Sequence, residues 1–120
     1  IPKNSWPAVD QRVTQAIDVL HVSGGRVGIE NLAQRLSCTA RHLNRLFRKS
    51  IGLPPKTYAQ LIQFHRTLRL IKSSNLSLSE AAYEGGYADQ AHLTRSFRRF
   101  GNFSPSDLPQ DLSLPTLFQR

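Results

Sequence analysis

Between Thr39 and Lys49 the chain reads Thr-Ala-Arg-His-Leu-Asn-Arg-Leu-Phe-Arg-Lys. At helical spacing Leu43, Leu46 and Phe47 share one face, while Arg41, Asn44, Arg45 and Arg48 share the other. A guanidinium can donate two parallel hydrogen bonds to guanine, and a carboxamide can pair with adenine. A helix with one apolar side and one such side buries itself and still presents donors outward. The pattern also has an echo. His42-Leu43-x-Arg45-x-Phe47-Arg48-Lys49 returns fifty residues later as His92-Leu93-x-Arg95-x-Phe97-Arg98-Arg99. A proline follows each copy at the same interval, Pro55 and Pro105. A duplicated helix of this kind points to two copies of one binding element.

Position along each helix divides the roles. Arg41, Asn44 and Arg45 in the first copy, and Gln90, His92 and Arg95 in the second, are candidate base readers. Arg48, Lys49, Arg98 and Arg99 lie farther along and suit phosphates. Thr39, Thr94 and the N–H groups at the helix starts are further phosphate candidates.

The charge balance agrees. Sixteen Lys and Arg face eight Asp and Glu in 120 residues, a net charge of +8. From Asn31 to Ser79 no acidic residue occurs, while Arg35, Arg41, Arg45, Arg48, Lys49, Lys56, Arg66, Arg69 and Lys72 do. A one-sign run of this length implies a polyanionic partner, nucleic acid ahead of anionic membrane; the blander account is a solvated basic face. No segment approaches the ~20 apolar residues of a membrane span. The single cysteine, Cys38, excludes an internal disulfide and fits a reducing cytoplasm. Ile1-Pro2-Lys3-Asn4-Ser5 lacks the apolar core of a signal peptide and an initiator Met, so a fragment of a longer protein is expected.

Other chemistries find little support. Cys38 and His42 lack a second ligand pair at zinc spacing. Gly24-Gly25-Arg26-Val27-Gly28 lacks the P-loop lysine and a preceding strand, and reads as a turn. Nothing locates a pocket for a Ser-His-Asp arrangement. No enzyme, metal or cofactor is expected.

Helices must position these side chains. Pro7 suits a first helical turn capped by Ser5 or Asn4, with Val9, Val13, Ala16, Ile17 and Leu20 inward and Gly24-Gly25 as the stop. Ile29–Leu36 forms a short helix, Ser37-Cys38 a tight turn, and Thr39 the cap of the arginine helix that Gly52 ends. Pro54-Pro55 opens a long helix to about Ser73, with apolar residues on more than one stripe. Ser77-Leu78-Ser79-Glu80 has the form of a capping box. Gly85-Gly86 turns the chain, Asp89 caps the second arginine helix, and Asn102 ends it. Ser104-Pro105 begins a last short turn or helix. From Pro109 an irregular tail is expected to dock Leu114, Leu117 or Phe118.

Each half thus holds a short helix, a tight turn and a longer arginine helix, the helix-turn-helix layout. In that layout the longer helix enters the major groove. The fold expected is all-α: two helix-turn-helix subdomains joined by a long linking helix, about seven helices in all. Residues 1–7 form a linker from a missing preceding domain, 8–53 the first subdomain, 54–73 the linking helix, 74–108 the second, and 109–120 the tail. A connector of ~27 Å with its flanking turns suits two recognition helices one duplex turn, ~34 Å, apart.

These residues resemble the DNA-binding domain of the AraC/XylS family of bacterial transcription regulators. The resemblance covers about Ile29 to Leu108, and Ala8–Leu20 matches the family's first helix less specifically. Its motifs are Leu32-Ala33, Arg41-His42-Leu43-x-Arg45-x-Phe47-Arg48-Lys49 and Gly52-Leu53-Pro54-Pro55-x-x-Tyr58. In the second half they are Ser77-Leu78-Ser79-Glu80-Ala81-Ala82, Gly86-Tyr87-Ala88-Asp89-Gln90-Ala91-His92-Leu93-x-Arg95-x-Phe97-Arg98, and Ser104-Pro105. It implies two helix-turn-helix motifs and sequence-specific binding of promoter DNA, usually to activate transcription. The implied partners are double-stranded DNA and RNA polymerase, with an effector-sensing or oligomerising domain outside this fragment. Departures concentrate in the second half. Ala81, Tyr87 and Leu93 replace the common Ile, Phe and Phe, Gln63 and Thr67 replace the linker's usual Arg and small residue, and Leu108-Pro109 replaces the closing Tyr-Arg. Two other classes compete: a basic helical interaction module holding an acidic partner, and a DNA-targeting domain appended to an enzyme. Base discrimination separates the interaction module from the regulator, and the full-length sequence separates the appended domain.

Overall fold

Asp10, whose carboxylate accepts the Arg12 N–H at 2.8 Å, opens the first helix described in the computed structural model, which covers residues 10–105. The expected caps, Ser5 and Asn4, lie outside the described residues, as does Val9. The helix α1 spans Gln11–Ser23, and α2 spans Ile29–Arg35. The recognition-type helix α3 spans Ala40–Ser50, the long α4 Pro55–Ser73, α5 Leu78–Glu84 and α6 Gln90–Gly101. No strand occurs among the described residues. Six helices stand among the described residues; the seventh expected, starting at Ser104-Pro105, is described only as far as Pro105, and the tail 109–120 lies outside the described residues.

Local chemistry accounts for the boundaries. Gly24, left-handed at φ 67°, ends α1, and its N–H donates to the His21 and Leu20 carbonyls. Thr39 Oγ1 accepts the His42 N–H at 3.0 Å, and Asp89 Oδ1 accepts the His92 N–H at 2.7 Å. The capping box closes in both directions. Ser77 Oγ accepts the Glu80 N–H at 3.1 Å, and Glu80 Oε1 accepts the Ser77 N–H at 3.0 Å. These hydrogen bonds to the charged carboxylate hold Glu80 below the ordinary glutamate range. Asn102 takes the left-handed end of α6 at φ 61°. Leu36 caps α2 instead of belonging to it, and Ser37 adopts a left-handed φ of 57° in the tight turn.

Two cores flank α4. Val13, Ala16, Leu20, Leu32, Ala33, Leu43 and Phe47 gather with Tyr58, Ala59 and Ile62 from the first half of α4. Phe64 and Leu68 from its second half join Ala81, Ala82, Tyr87, Leu93 and Phe97. Edge-on aromatic contacts pin each core: Phe47 on Tyr58 at 6.0 Å between centroids, and Phe64 on Phe97 at 4.9 Å. One helix is therefore the wall of two hydrophobic units, which explains its apolar residues on several stripes. Its nineteen residues span about 28 Å.

Two buried polar residues of α4 were not anticipated. Thr67 is fully buried and donates to the Gln63 carbonyl at 2.8 Å, which satisfies its hydroxyl inside the helix. His65 is buried against Phe64, and burial followed by the nearby Arg69 charge lowers its basicity.

Candidate nucleic-acid interface

The two arginine helices present their residues in one register. From 41 to 49 exposure alternates with the same pattern as from 91 to 99. Leu43 and Phe47, like Leu93 and Phe97, are fully buried. Arg41, Arg45, Arg48 and Lys49 are exposed, as are Gln90, Arg95, Arg98 and Arg99. His42, Asn44, His92 and Thr94 are half-buried. A cap of equivalent geometry, Thr39 or Asp89, starts each helix. Neither helix carries an acidic residue in its first turn, and each carries two cations in its last. Cations there complement the helix dipole, while at each N-terminus the cap takes one N–H, Thr39 that of His42 and Asp89 that of His92.

On α3 one open groove gathers Thr39, Arg41, His42, Asn44, Arg45 and Arg48. Five of the six were singled out from the sequence, and His42 is the addition. Arg45 Nη2 donates to His42 Nδ1 at 2.8 Å, so the imidazole holds the guanidinium before any partner arrives. Lys49 lies outside that groove, near the end of α3.

On α6 the corresponding groove is lined by Gln60, Gln63, Tyr87, His92, Arg95, Ser96, Arg99 and Phe100. It differs from the first because α4 forms part of its wall. Arg99 Nη1 donates to Gln60 Oε1 at 2.9 Å, and its guanidinium carbon sits 4.8 Å over the Phe100 ring. Arg99, expected as a phosphate ligand, thus already bridges α6 to α4 through part of its donor set. Thr94, expected in the same role, gives its hydroxyl proton to the Gln90 carbonyl at 3.0 Å, which leaves it only acceptor capacity on that oxygen. His92 packs edge-on against Tyr87 at 5.1 Å, and its Nδ1 accepts the Ala88 N–H at 3.4 Å. The Tyr87 hydroxyl pairs with Ser96 Oγ at 3.1 Å, and burial, partly offset by the Ser96 and Thr67 hydroxyls, pushes its pKa up and makes it a weaker acid. Gln60, Gln63, Tyr87 and Ser96 were not among the site residues expected from the sequence, although Gln63 and Tyr87 stood out as departures from the family pattern. Gln60 and Gln63 lie three apart on α4, which puts both on the side of that helix facing the groove.

Comparison with known proteins follows the same division. A helix-turn-helix domain family matches residues 32–110, which takes in both recognition-type helices. The chain belongs to the AraC/XylS family of helix-turn-helix DNA-binding domains. This AraC-type domain is 33% identical over 81 residues to the HTH-type transcriptional activator RhaS of Salmonella arizonae. The match takes in 68% of this chain and 29% of that relative, and RhaS of Salmonella newport matches equally. The chain therefore spans less than a third of the length of these curated relatives.

Solved structures share the fold at low identity. The C-terminal domain of AraT, a response regulator from Geobacillus stearothermophilus, superposes with a TM-score of 0.77 at 18% identity, over 92% of this chain and 98% of that one. A transcriptional regulator of the AraC-type DNA-binding domain class from Chromobacterium violaceum gives 0.75 at 19% identity, over 81% and 88%. No helix among the described residues is long and apolar enough to cross a membrane.

Proposed function

We propose that this AraC-type domain reads a double-stranded operator by placing α3 and α6 in successive major grooves. The observation that carries this is the matched register of the two helices: the same order of buried and exposed positions, fifty residues apart, each behind its own N-cap. Two such helices joined by about 28 Å of rigid helix suit groove segments one duplex turn, about 34 Å, apart. One chain then contacts two grooves without a second copy.

Within that reading Arg41, Asn44 and Arg45 meet base edges in one groove, and Gln90, His92 and Arg95 meet them in the next. Thr39, Arg48, Lys49, Thr94, Arg98 and Arg99 meet phosphates and set register without sequence information. Thr94 contributes as an acceptor or through water, and Arg99 with the donors that Gln60 leaves unused. Residues 1–7 connect to a preceding effector-sensing or oligomerising domain, 8–53 and 74–108 act as the two reading units, and RNA polymerase is the partner through which the whole protein acts in the cytoplasm. The relatives carry the word activator in their names, and activation is the outcome proposed here too.

Selection from a pool of random duplexes tests the reading. It predicts enrichment of a bipartite site with two conserved segments about ten base pairs apart. Recovery without any conserved segment would reduce the domain to a nonspecific cation.

A further inference from the structure

Besides sharing α4, the two reading units are tied together on one side of it. Arg26, in the loop between α1 and α2, donates through Nη2 to the Glu84 carbonyl at the end of α5. The partners are 58 positions apart in the chain. Arg66 lies in the half of α4 that serves the second core, yet it donates to the His21 carbonyl on α1. Between them Gln63 Nε2 donates to the Gly85 carbonyl at 2.9 Å. Three side chains thus donate to carbonyls at the C-terminal ends of α1 and α5, and the His21 carbonyl takes Arg66 in addition to the Gly24 N–H.

Two glycines make the approach possible. A Cβ on Gly25, at φ 77°, would lie 2.1 Å from the Ala59 carbonyl oxygen of α4. A Cβ on Gly86, at φ 80°, would lie 2.3 Å from Arg26 Nε. The loop of the first unit and the turn of the second are therefore seated directly on α4 and on each other. Both glycines have a left-handed backbone; at Gly25 the neighbour is the fixed backbone of α4, whereas at Gly86 it is the Arg26 side chain itself.

We propose that this strap sets the spacing that the domain accepts between its two half-sites, with Arg26 as its principal positioning residue. Two units joined by a single helix and a small interface would otherwise rock about its midpoint. The two cores meet along α4 between Ile62 and Phe64, so the midpoint of the helix is where one unit passes into the other. One inserted base pair turns the second half-site by about 34° and shifts it by about 3.4 Å. A strapped pair cannot follow that change, so it loses the gain from engaging both half-sites. A loosened pair keeps much of it. Arg26 contacts no residue assigned to either groove, so its effect is on geometry alone.

The proposal rests on the DNA reading above, and its test separates the two. Binding of the wild-type chain, Arg26→Ala, Arg66→Ala and Arg26→Lys is measured on three duplexes. These are the selected site, the same site with one base pair inserted, and a single half-site. The wild type is expected to weaken by at least about tenfold on the inserted site, and Arg26→Ala by less than about threefold. Arg66→Ala should follow Arg26→Ala, Arg26→Lys should restore part of the discrimination, and all four should bind the half-site alike. Amide relaxation by NMR should show the two units tumbling together in the wild type and more independently in Arg26→Ala. An unchanged insertion penalty in Arg26→Ala and Arg66→Ala, with both variants folded, would overturn the strap. A wild type without preference for any selected duplex would overturn the DNA reading beneath it.

Discussion

Arg45 Nη2 lies 2.8 Å from His42 Nδ1, one turn back along α3, whereas His92, at the matching place on α6, accepts from the Ala88 N–H instead. The duplicated helices thus share their burial and differ in how their histidines are used. In the first, the imidazole restrains the arginine that points outward. In the second, it locks the helix start against the preceding turn and against Tyr87.

His42→Ala should therefore weaken binding to the selected site by roughly 0.5–1.5 kcal/mol, the usual cost of ordering one long side chain on association. Base preference should stay the same, because Arg45 still makes the contact once ordered. Titration on matched and singly altered duplexes checks this. Unchanged affinity would show that the His42 contact does no positioning.

Arg45→Ala and Lys49→Ala should fail in different ways. Loss of the Arg45 guanidinium is expected to cost ~1–3 kcal/mol on the selected site and to flatten preference at one base position. Loss of Lys49 should weaken every sequence alike and shallow the salt dependence by about 0.9 in log–log slope. Affinities across a salt series on matched and mismatched duplexes distinguish the two. A uniform loss for Arg45→Ala would remove it from base reading.

The capping box of α5 predicts an acid-sensitive second unit. Ser77→Ala should cost about 1 kcal/mol by removing the acceptor for the Glu80 N–H. Glu80 titrates below its ordinary value of 4.5 in the folded chain, so the folded state favours its charged form. Its contribution is present above the ordinary value and is lost as pH falls through the lowered one. Denaturant midpoints of the wild type and Glu80→Gln should therefore differ at neutral pH and converge in acid. A constant difference at all pH values would detach the effect from Glu80 ionisation.

Separate cores predict separable unfolding. Phe97 is fully buried at the centre of the second core, and Phe97→Ala should cost ~3–5 kcal/mol. Hydrogen exchange should then rise first in α5 and α6, while α1 to α3 keep their protection through Phe47 and Tyr58. Uniform loss of protection would mean that α4 couples the two cores into one cooperative unit.

Much of this arrangement was legible in local sequence, because caps, turns and amphipathic stripes depend on neighbours a few residues apart. Thr39, Asp89 and the Ser77–Glu80 box stand where their side-chain chemistry places them, and the echo of the arginine helix predicts its matching exposure. What escaped depends on distant contacts. Nothing near Arg26 in sequence announces Glu84, and Arg99 reads as a free cation until α4 brings Gln60 beside it. Thr67 looks like a surface residue, yet its hydroxyl is satisfied within its own helix and the residue is buried against the second unit. The Asp10 cap of α1 was not singled out in sequence, and the start expected near Pro7 lies outside the described residues.

Protection of guanine N7 from methylation on the selected duplex probes the placement of α3 and α6 most directly, since N7 lies in the major groove. The wild type should protect two patches about ten base pairs apart on one face of the helix. Arg45→Ala should lose one patch and Arg95→Ala the other. A single patch, or two patches that both vanish with either substitution, would contradict two helices reading two grooves.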